Sequence, residues 1–152
     1  MTNYNELLMV LKPLIEQNNH EITILSNASA LLNDYLEDIN WVGFYLLNNN
    51  ELILGPFQGH PACTNIPLNK GVCGKCATDK KTILVKNVHE FPTHIACDRA
   101  SNSEICVPIF KNKKFYGLLD IDSPSLNRFD EIDQANLEEI VKIIEDVLNN
   151  TK

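Results

Sequence analysis

Trp41-Val42-Gly43-Phe44-Tyr45-Leu46-Leu47 is followed by Asn48-Asn49-Asn50 and then by Glu51-Leu52-Ile53-Leu54. The first run is short, aromatic-rich and apolar on both alternating faces. That is the pattern of a strand covered on both sides, and so central in its sheet. Asparagine tolerates left-handed backbone and bonds its own main chain, so 48–50 is a turn. The returning run makes 41–54 a hairpin. A second pair, Ile105–Phe110 and Phe115–Ile121, brackets the polar turn Lys111-Asn112-Lys113-Lys114. Pro108 cannot donate to a ladder, which predicts a bulge or an edge at that point.

Helices stand outside the hairpins. Leu7, Leu8, Leu11, Leu14 and Ile15 recur at helical spacing over residues 3–18, where Pro13 should kink or divide the helix. Ile22, Leu25, Ala28, Leu32, Tyr35 and Leu36 predict an amphipathic helix over 21–37. Asp130 is the expected N-cap of a last helix, whose stripe is Leu137, Ile140, Val141, Ile144, Val147 and Leu148. Between the hairpins, Gly55-Pro56 opens a long loop. It holds a short helix over Gly71–Lys80, a strand at Thr82–Val85 and a mostly irregular stretch from Asn87 to Asn102. The order α-α-β-β-loop-β-loop-β-β-α is that of an α+β domain with a central antiparallel sheet between helix layers.

The 152 residues are expected to form one domain, 1–152, large enough for a core without staples. A net charge of −7 argues against nucleic acid or an anionic membrane as the main partner, because both reward clustered Lys and Arg. The N-terminus lacks the basic region of a signal peptide, so a cytoplasmic protein is expected. There thiols stay reduced, and five cysteines, an odd number, do not suit a purely structural disulfide framework.

Four of those cysteines lie in the segment from Gly55 to Glu104. Long ordered loops are more often functional than filler. Cys97 has His94 three residues before it and Asp98 and Arg99 after it; His94 and Arg99 are candidate cations to favour a thiolate. Cys73-Gly74-Lys75-Cys76 has the C-x-x-C spacing of zinc knuckles and of thioredoxin-type pairs. No second pair completes a zinc set, and no βαβ pattern surrounds it. Cys63, Cys97 and Cys106 would have to complete such a set. Cys106 alternates with Ile105 and Val107 and reads as inert core. His89 and His94 are five apart with Pro92 between them, which excludes a metalloprotease helix.

Asp120 and Asp122 project to one face of their strand, and the hairpin brings Glu104 beside them. Clustered carboxylates repel, so one of them can hold a proton near neutrality and donate it, or the group can bind an ammonium; the plainer alternative, slightly favoured by these residues alone, is a solvated strand end. Trp41, Gly43 and Tyr45 share a face, either as core or as the wall of a pocket in which glycine leaves room.

Over essentially its full length the chain resembles the free methionine-(R)-sulfoxide reductases, small GAF-domain enzymes. The likeness is carried by Asp38–Tyr45, Gly55–Gly59, Pro61-Ala62-Cys63, Gly71–Gly74, His94–Asp98, Ser101–Glu104 and Leu119–Ser123. It implies a GAF-like fold and reduction of the free amino acid, with no bound cofactor and with thioredoxin supplying the reducing equivalents. Cys97 would attack the sulfoxide sulfur, Cys63 would resolve the sulfenic acid as a disulfide, and Cys73 is the third family cysteine, an alternative relay. Glu104, Asp120 and Asp122 would bind substrate and its sulfoxide oxygen; Trp41 and Tyr45 would wall the S-methyl group. Family members resemble homodimers, and the 137–148 stripe permits such a contact. Cys76 and Cys106 are additional to the usual three, and Cys76 could compete with Cys73 for a disulfide. The competing expectation is a GAF-type redox or small-ligand sensor without turnover.

Overall fold

The computed structural model describes residues 1–94, 97 and 99–151. Strands β1 (Trp41–Asn48), β2 (Glu51–Gly59), β3 (Asn65–Pro67), β4 (Ile83–Val85), β5 (Ser103–Lys111) and β6 (Lys114–Ser123) form one sheet in the order β3-β2-β1-β6-β5-β4. Every pairing is antiparallel, and β1 is interior as its two apolar faces require. Both expected hairpins are present. β2 runs past Gly55-Pro56 to Gly59, five residues beyond the reading from sequence; a register shift between Gly43 and Tyr45 of the partner strand absorbs the irregularity. β3 was hidden because its Asn-Ile-Pro sequence carries no alternation to read. Pro108 sits where β4 has already ended, since β4 pairs only with Glu104–Cys106, and a register shift follows at Ile109/Phe110. The strand is therefore locally an edge there, with the expected bulge beside it.

The sheet divides the interior in two. Its outer face carries Val42, Phe44, Ile105, Val107, Ile109, Leu119 and Ile121, buried against helices α1 (Tyr4–Ile15), α2 (Glu21–Tyr35) and α4 (Glu131–Asn149). Its inner face carries Trp41, Tyr45, Cys106 and Leu118, covered by the short helix α3 (Gly71–Asp79). Period-two alternation along β1, β5 and β6 thus sends one set of residues to a large apolar core and the other to a smaller, more polar one.

Local differences from expectation have plain causes. α1 is not divided: Pro13 lies in its last turn, where only one backbone bond is lost, and the helix ends two residues later. Ile22 is 74% exposed, and Ile24 takes its place in the stripe of α2. The stripe of α4 is spent inward, with Leu137, Ile140, Val141, Ile144, Val147 and Leu148 all in the core, so it is not a surface for a second subunit. Asp130 caps α4 as expected: its Oδ1 accepts from Asp133 N at 2.9 Å, and Asp133 Oδ2 accepts from Asp130 N at 3.0 Å.

Candidate active site

The inner face of the sheet is where the chemistry-bearing residues gather. Register places Glu104 opposite Asp122, Cys106 opposite Asp120, Asp122 opposite Trp41 and Asp120 opposite Gly43. Three adjacent strands therefore present three acids and two aromatics on one surface. A pocket opens above them, lined by Trp41, Tyr45, Cys73, Cys97, Glu104, Asp120 and Asp122 among others. Seven of the eight residues singled out from sequence line it. The eighth, Cys63, is joined to Cys97 by a disulfide, with Cα atoms 5.4 Å apart.

Each wall is held from behind. Trp41 Nε1 donates to His60 O at 3.2 Å and Tyr45 OH donates to Cys63 O at 2.8 Å, so the aromatics also fix the segment that carries Cys63. The Trp41 ring stacks on Phe57 and Tyr45 at centroid distances of 5.2 and 5.9 Å. α3 can cross this face closely because Gly74 lies against the Pro67 and Leu68 carbonyls, where a Cβ would come within 2.9 Å of both oxygens. That approach brings Cys73 down onto the acids: its Sγ is 3.8 Å from Glu104 Oε2 and 3.5 Å from Cys106 Sγ.

Burial sets the protonation states. Glu104, Asp120 and Asp122 are at most 9% exposed. Desolvation, then the charges of Asp120 and Asp122, push the Glu104 carboxyl well above the usual carboxylate range. Burial also raises Asp120, but hydrogen bonds from Glu104, Cys106 and Cys73 to its carboxylate act the other way. Glu104 is thus the better placed of the two to keep a proton. The hydrogen bond with Cys106 pulls the Cys73 thiol down, but burial and the neighbouring carboxylates outweigh it and leave Cys73 at about 12. Burial raises Cys76 and Cys106 as well. Those three are poor nucleophiles at neutral pH, whereas Cys63 and Cys97 are partly exposed.

Several expectations are corrected here. Cys106 is buried in the smaller core, as expected, but its surroundings are polar: its Sγ lies 3.2 Å from Asp120 Oδ1 and 3.6 Å from Glu104 Oε2. The strand alternation that marked it as buried does not say which of two cores receives it. His94 lines the pocket, yet burial and then the neighbouring His89 lower its pKa, so it stands there as a neutral ring and not as a cation for Cys97. Arg99 is exposed, and Asp98, Ile95 and Ala96 lie outside the described residues. The zinc set built on Cys63 and Cys97 does not assemble, since they are bonded to each other. Cys73, Glu104, Cys106 and Asp120 do bring four possible ligand atoms together. Lys70, Gly71, Val72, Ala62, Ile66 and Ser101 also line the pocket and were not singled out. The signal for the first three was available: two glycines opening a helix at a reactive loop make a helix N-terminus that faces a ligand.

With the disulfide closed, the pocket has a volume of about 40 Å³. That holds a few waters and is too small for a whole amino acid.

Comparison with known proteins agrees with this geometry. The family model described as GAF domain matches residues 23–149. The free methionine-R-sulfoxide reductase of Escherichia coli (strain K12) is 47% identical over 130 residues, covering 86% of this chain and 79% of that protein. The reduced form of the Staphylococcus aureus protein called fRMsr superposes with a TM-score of 0.95 at 60% identity, over 97% of this chain and 96% of that one. The free methionine-R-sulfoxide reductase of Neisseria meningitidis, in complex with its substrate, superposes with a TM-score of 0.92 at 40% identity, over 95% of this chain and 87% of that one.

Proposed function

Because the chain belongs to the GAF-domain family of the free methionine-R-sulfoxide reductases, we propose that it reduces free methionine-R-sulfoxide to methionine. The observation that carries this reading is the pairing of Cys97 with Cys63 at a pocket floored by three buried carboxylates. A sulfoxide oxygen leaves poorly until it is protonated, and a buried carboxyl that keeps its proton supplies what the thiol alone lacks.

The substrate is held at both ends of its polar head. Its ammonium lies against Asp120 and Asp122, and its carboxylate lies at the N-terminus of α3, where Gly71, Val72 and Cys73 line the pocket. Trp41 and Tyr45 wall the S-methyl group. A peptide-bonded methionine sulfoxide lacks both charges, so this arrangement favours the free amino acid. The Cys97 thiolate attacks the sulfoxide sulfur while Glu104 gives its proton to the oxygen. Methionine leaves and Cys97 becomes a sulfenic acid. The Cys63 thiol then displaces water from it and forms the disulfide, and the two electrons that reduced the substrate have come from the two thiols. Thioredoxin restores them by thiol–disulfide exchange, with no bound cofactor. Cys73, which lines the same pocket as Cys97, is the alternative relay. The protein works as a cytoplasmic homodimer in this reading.

An NADPH-consumption assay with thioredoxin and thioredoxin reductase tests it, using free methionine-R-sulfoxide, its S epimer and N-acetyl methionine sulfoxide. Turnover with the free R epimer alone, abolished in Cys97→Ser, is expected. No turnover with any of the three sinks the enzyme reading and favours a GAF-type redox sensor.

A further inference from the structure

Cys73 on α3, Glu104 and Cys106 on β5 and Asp120 on β6 each bring a donor atom within 4.8 Å of the other three. The reduction described above gives Cys106 no part, and it does not use the four as a set. A tetrahedral Zn²⁺ has sulfur at about 2.3 Å and carboxylate oxygen at about 2.0 Å, so its edges are about 3.8 Å between two sulfurs and about 3.5 Å between sulfur and oxygen. Here Sγ–Sγ is 3.5 Å for Cys73 and Cys106. The sulfur–oxygen separations are 3.8 Å for Cys73–Glu104, 3.6 Å for Cys106–Glu104 and 3.2 Å for Cys106–Asp120. These four of the six edges fall within about 0.3 Å of a zinc tetrahedron's before any ion is present, and the remaining two are no longer than 4.8 Å.

All four residues are buried, with exposures of 4% for Cys73, 8% for Glu104, 0% for Cys106 and 5% for Asp120. Among the described residues no lysine, arginine or histidine forms an ion pair with Glu104 or Asp120. The four groups hydrogen-bond to one another, and a divalent cation would take the place of the protons they share. The pocket reaches three of them, so an ion has a route in.

We propose that Cys73, Glu104, Cys106 and Asp120 form a binding site for one thiophilic divalent cation of the Zn²⁺ type. Two sulfurs select such an ion over Mg²⁺ or Ca²⁺, which take oxygen ligands. Cys106, outside the three family cysteines, makes the difference between one sulfur ligand and two. The bound ion occupies the carboxylates that would receive the substrate's ammonium and sulfoxide oxygen, so zinc competes with substrate; that consequence rests on the reductase reading, while the binding does not.

Co²⁺ is the probe, added to Cys63→Ser/Cys97→Ser protein, in which no disulfide can close beside the pocket and the two partly exposed thiols are gone. One Co²⁺ per chain is expected, with the visible bands of a tetrahedral ion and a thiolate-to-cobalt charge-transfer band that one equivalent of Zn²⁺ erases. Adding Cys106→Ser should cut that band by about half and weaken binding at least ~10-fold, and adding Cys76→Ser should leave both as they were. No charge-transfer band in the parent protein overturns the site, and this result depends on no further variant folding. An unchanged band in Cys106→Ser, with native circular dichroism, overturns it equally. If no sulfoxide is turned over but the cobalt spectrum appears, the reductase reading fails and the metal site stands.

Discussion

Gly43→Ala is the substitution that most directly joins the fold to the pocket. Gly43 faces Phe57 across the β1–β2 pair, and Trp41 is two residues away on the same face. Facing Cβ atoms in an antiparallel pair ordinarily stand about 4.5–5.5 Å apart. A Cβ on Gly43 would overlap Phe57 Cβ and lie 2.8 Å from both Phe57 Cα and Trp41 Cη2. Carbon atoms rest at about 3.5–4.0 Å, so backbone and ring must each give way by about 1 Å. Overpacking of this kind costs about 1–3 kcal/mol, which in a chain of this size lowers Tm by about 2–12 °C. The Trp41 ring cannot move alone, because it is stacked on Phe57 and Tyr45 and bonded to His60 O. Moving it reshapes the wall assigned to the S-methyl group, and the same 1–3 kcal/mol at the pocket lowers kcat/KM by about 5- to 150-fold. Thermal melts and the coupled assay with free methionine-R-sulfoxide, run on one preparation, check both numbers. A variant with a Tm within about 1 °C of wild type and an unchanged KM would refute the tight approach of Phe57 and Trp41 to β1.

Three further outcomes are expected. Glu104→Gln keeps the shape but cannot give up an acidic proton, so kcat should fall about 10²- to 10⁴-fold. Folding holds a proton on Glu104 that the unfolded chain releases, so wild type loses stability as pH rises from the ordinary carboxylate range through the raised Glu104 value. The glutamine variant escapes that loss, and a lower Tm for it at pH 7 would contradict the buried, protonated acid. Asp130→Ala should cost about 1 kcal/mol in urea melts at neutral pH. The backbone N–H of Asp133 holds the Asp130 carboxyl below its usual 3.8, so the cap's contribution should be full above that value and vanish as pH falls through the lowered one; a cost that persists at the acid end would point to something other than the cap. In reduced protein at pH 7, iodoacetamide should modify Cys97 and Cys63 far faster than Cys73, which at about 12 is thiolate in only about one molecule in 10⁵. Peptide mass mapping that finds Cys73, Cys76 or Cys106 alkylated as fast as Cys97 would show that the inner face opens freely.

Both hairpins, the terminal helices and the Asp130 cap were legible because each rests on local pattern: alternation, 3.6-residue spacing, a capping side chain. The three-acid patch was legible only roughly: the tight turn at Lys111–Lys114 brings the two strand ends together, but it is the bulge at Ile109/Phe110 that moves Glu104 from opposite Ile121 to opposite Asp122. What escaped was governed by distance along the chain. β3 has three residues and gains its place only by pairing with β2. Ile22 and Ile24 fit helical stripes that differ by a small rotation, and only the sheet beneath α2 decides between them. Cys106 was readable as buried but not as polar in its surroundings, because its neighbours Cys73 and Asp120 come from elements 33 and 14 residues away. The pairing of Cys63 with Cys97 was an implication of family likeness, not of spacing. The two are 34 residues apart with three other thiols in the chain, and nothing local selects the partner.

That 34-residue span makes the protein's lifetime depend on its redox history. A crosslink closing a loop of that length removes about 4 kcal/mol of chain entropy from the unfolded ensemble, by the usual polymer account. The oxidised molecule therefore visits the unfolded state about 10³ times less often than the reduced one. Proteases that act on transiently unfolded chains sample the two forms in that proportion. Cells short of reductant would accumulate the spent form and clear it slowly, and the return of reductant would yield active protein at once and expose it to turnover. The supply of electrons would then regulate how much of this protein persists as well as how fast it works.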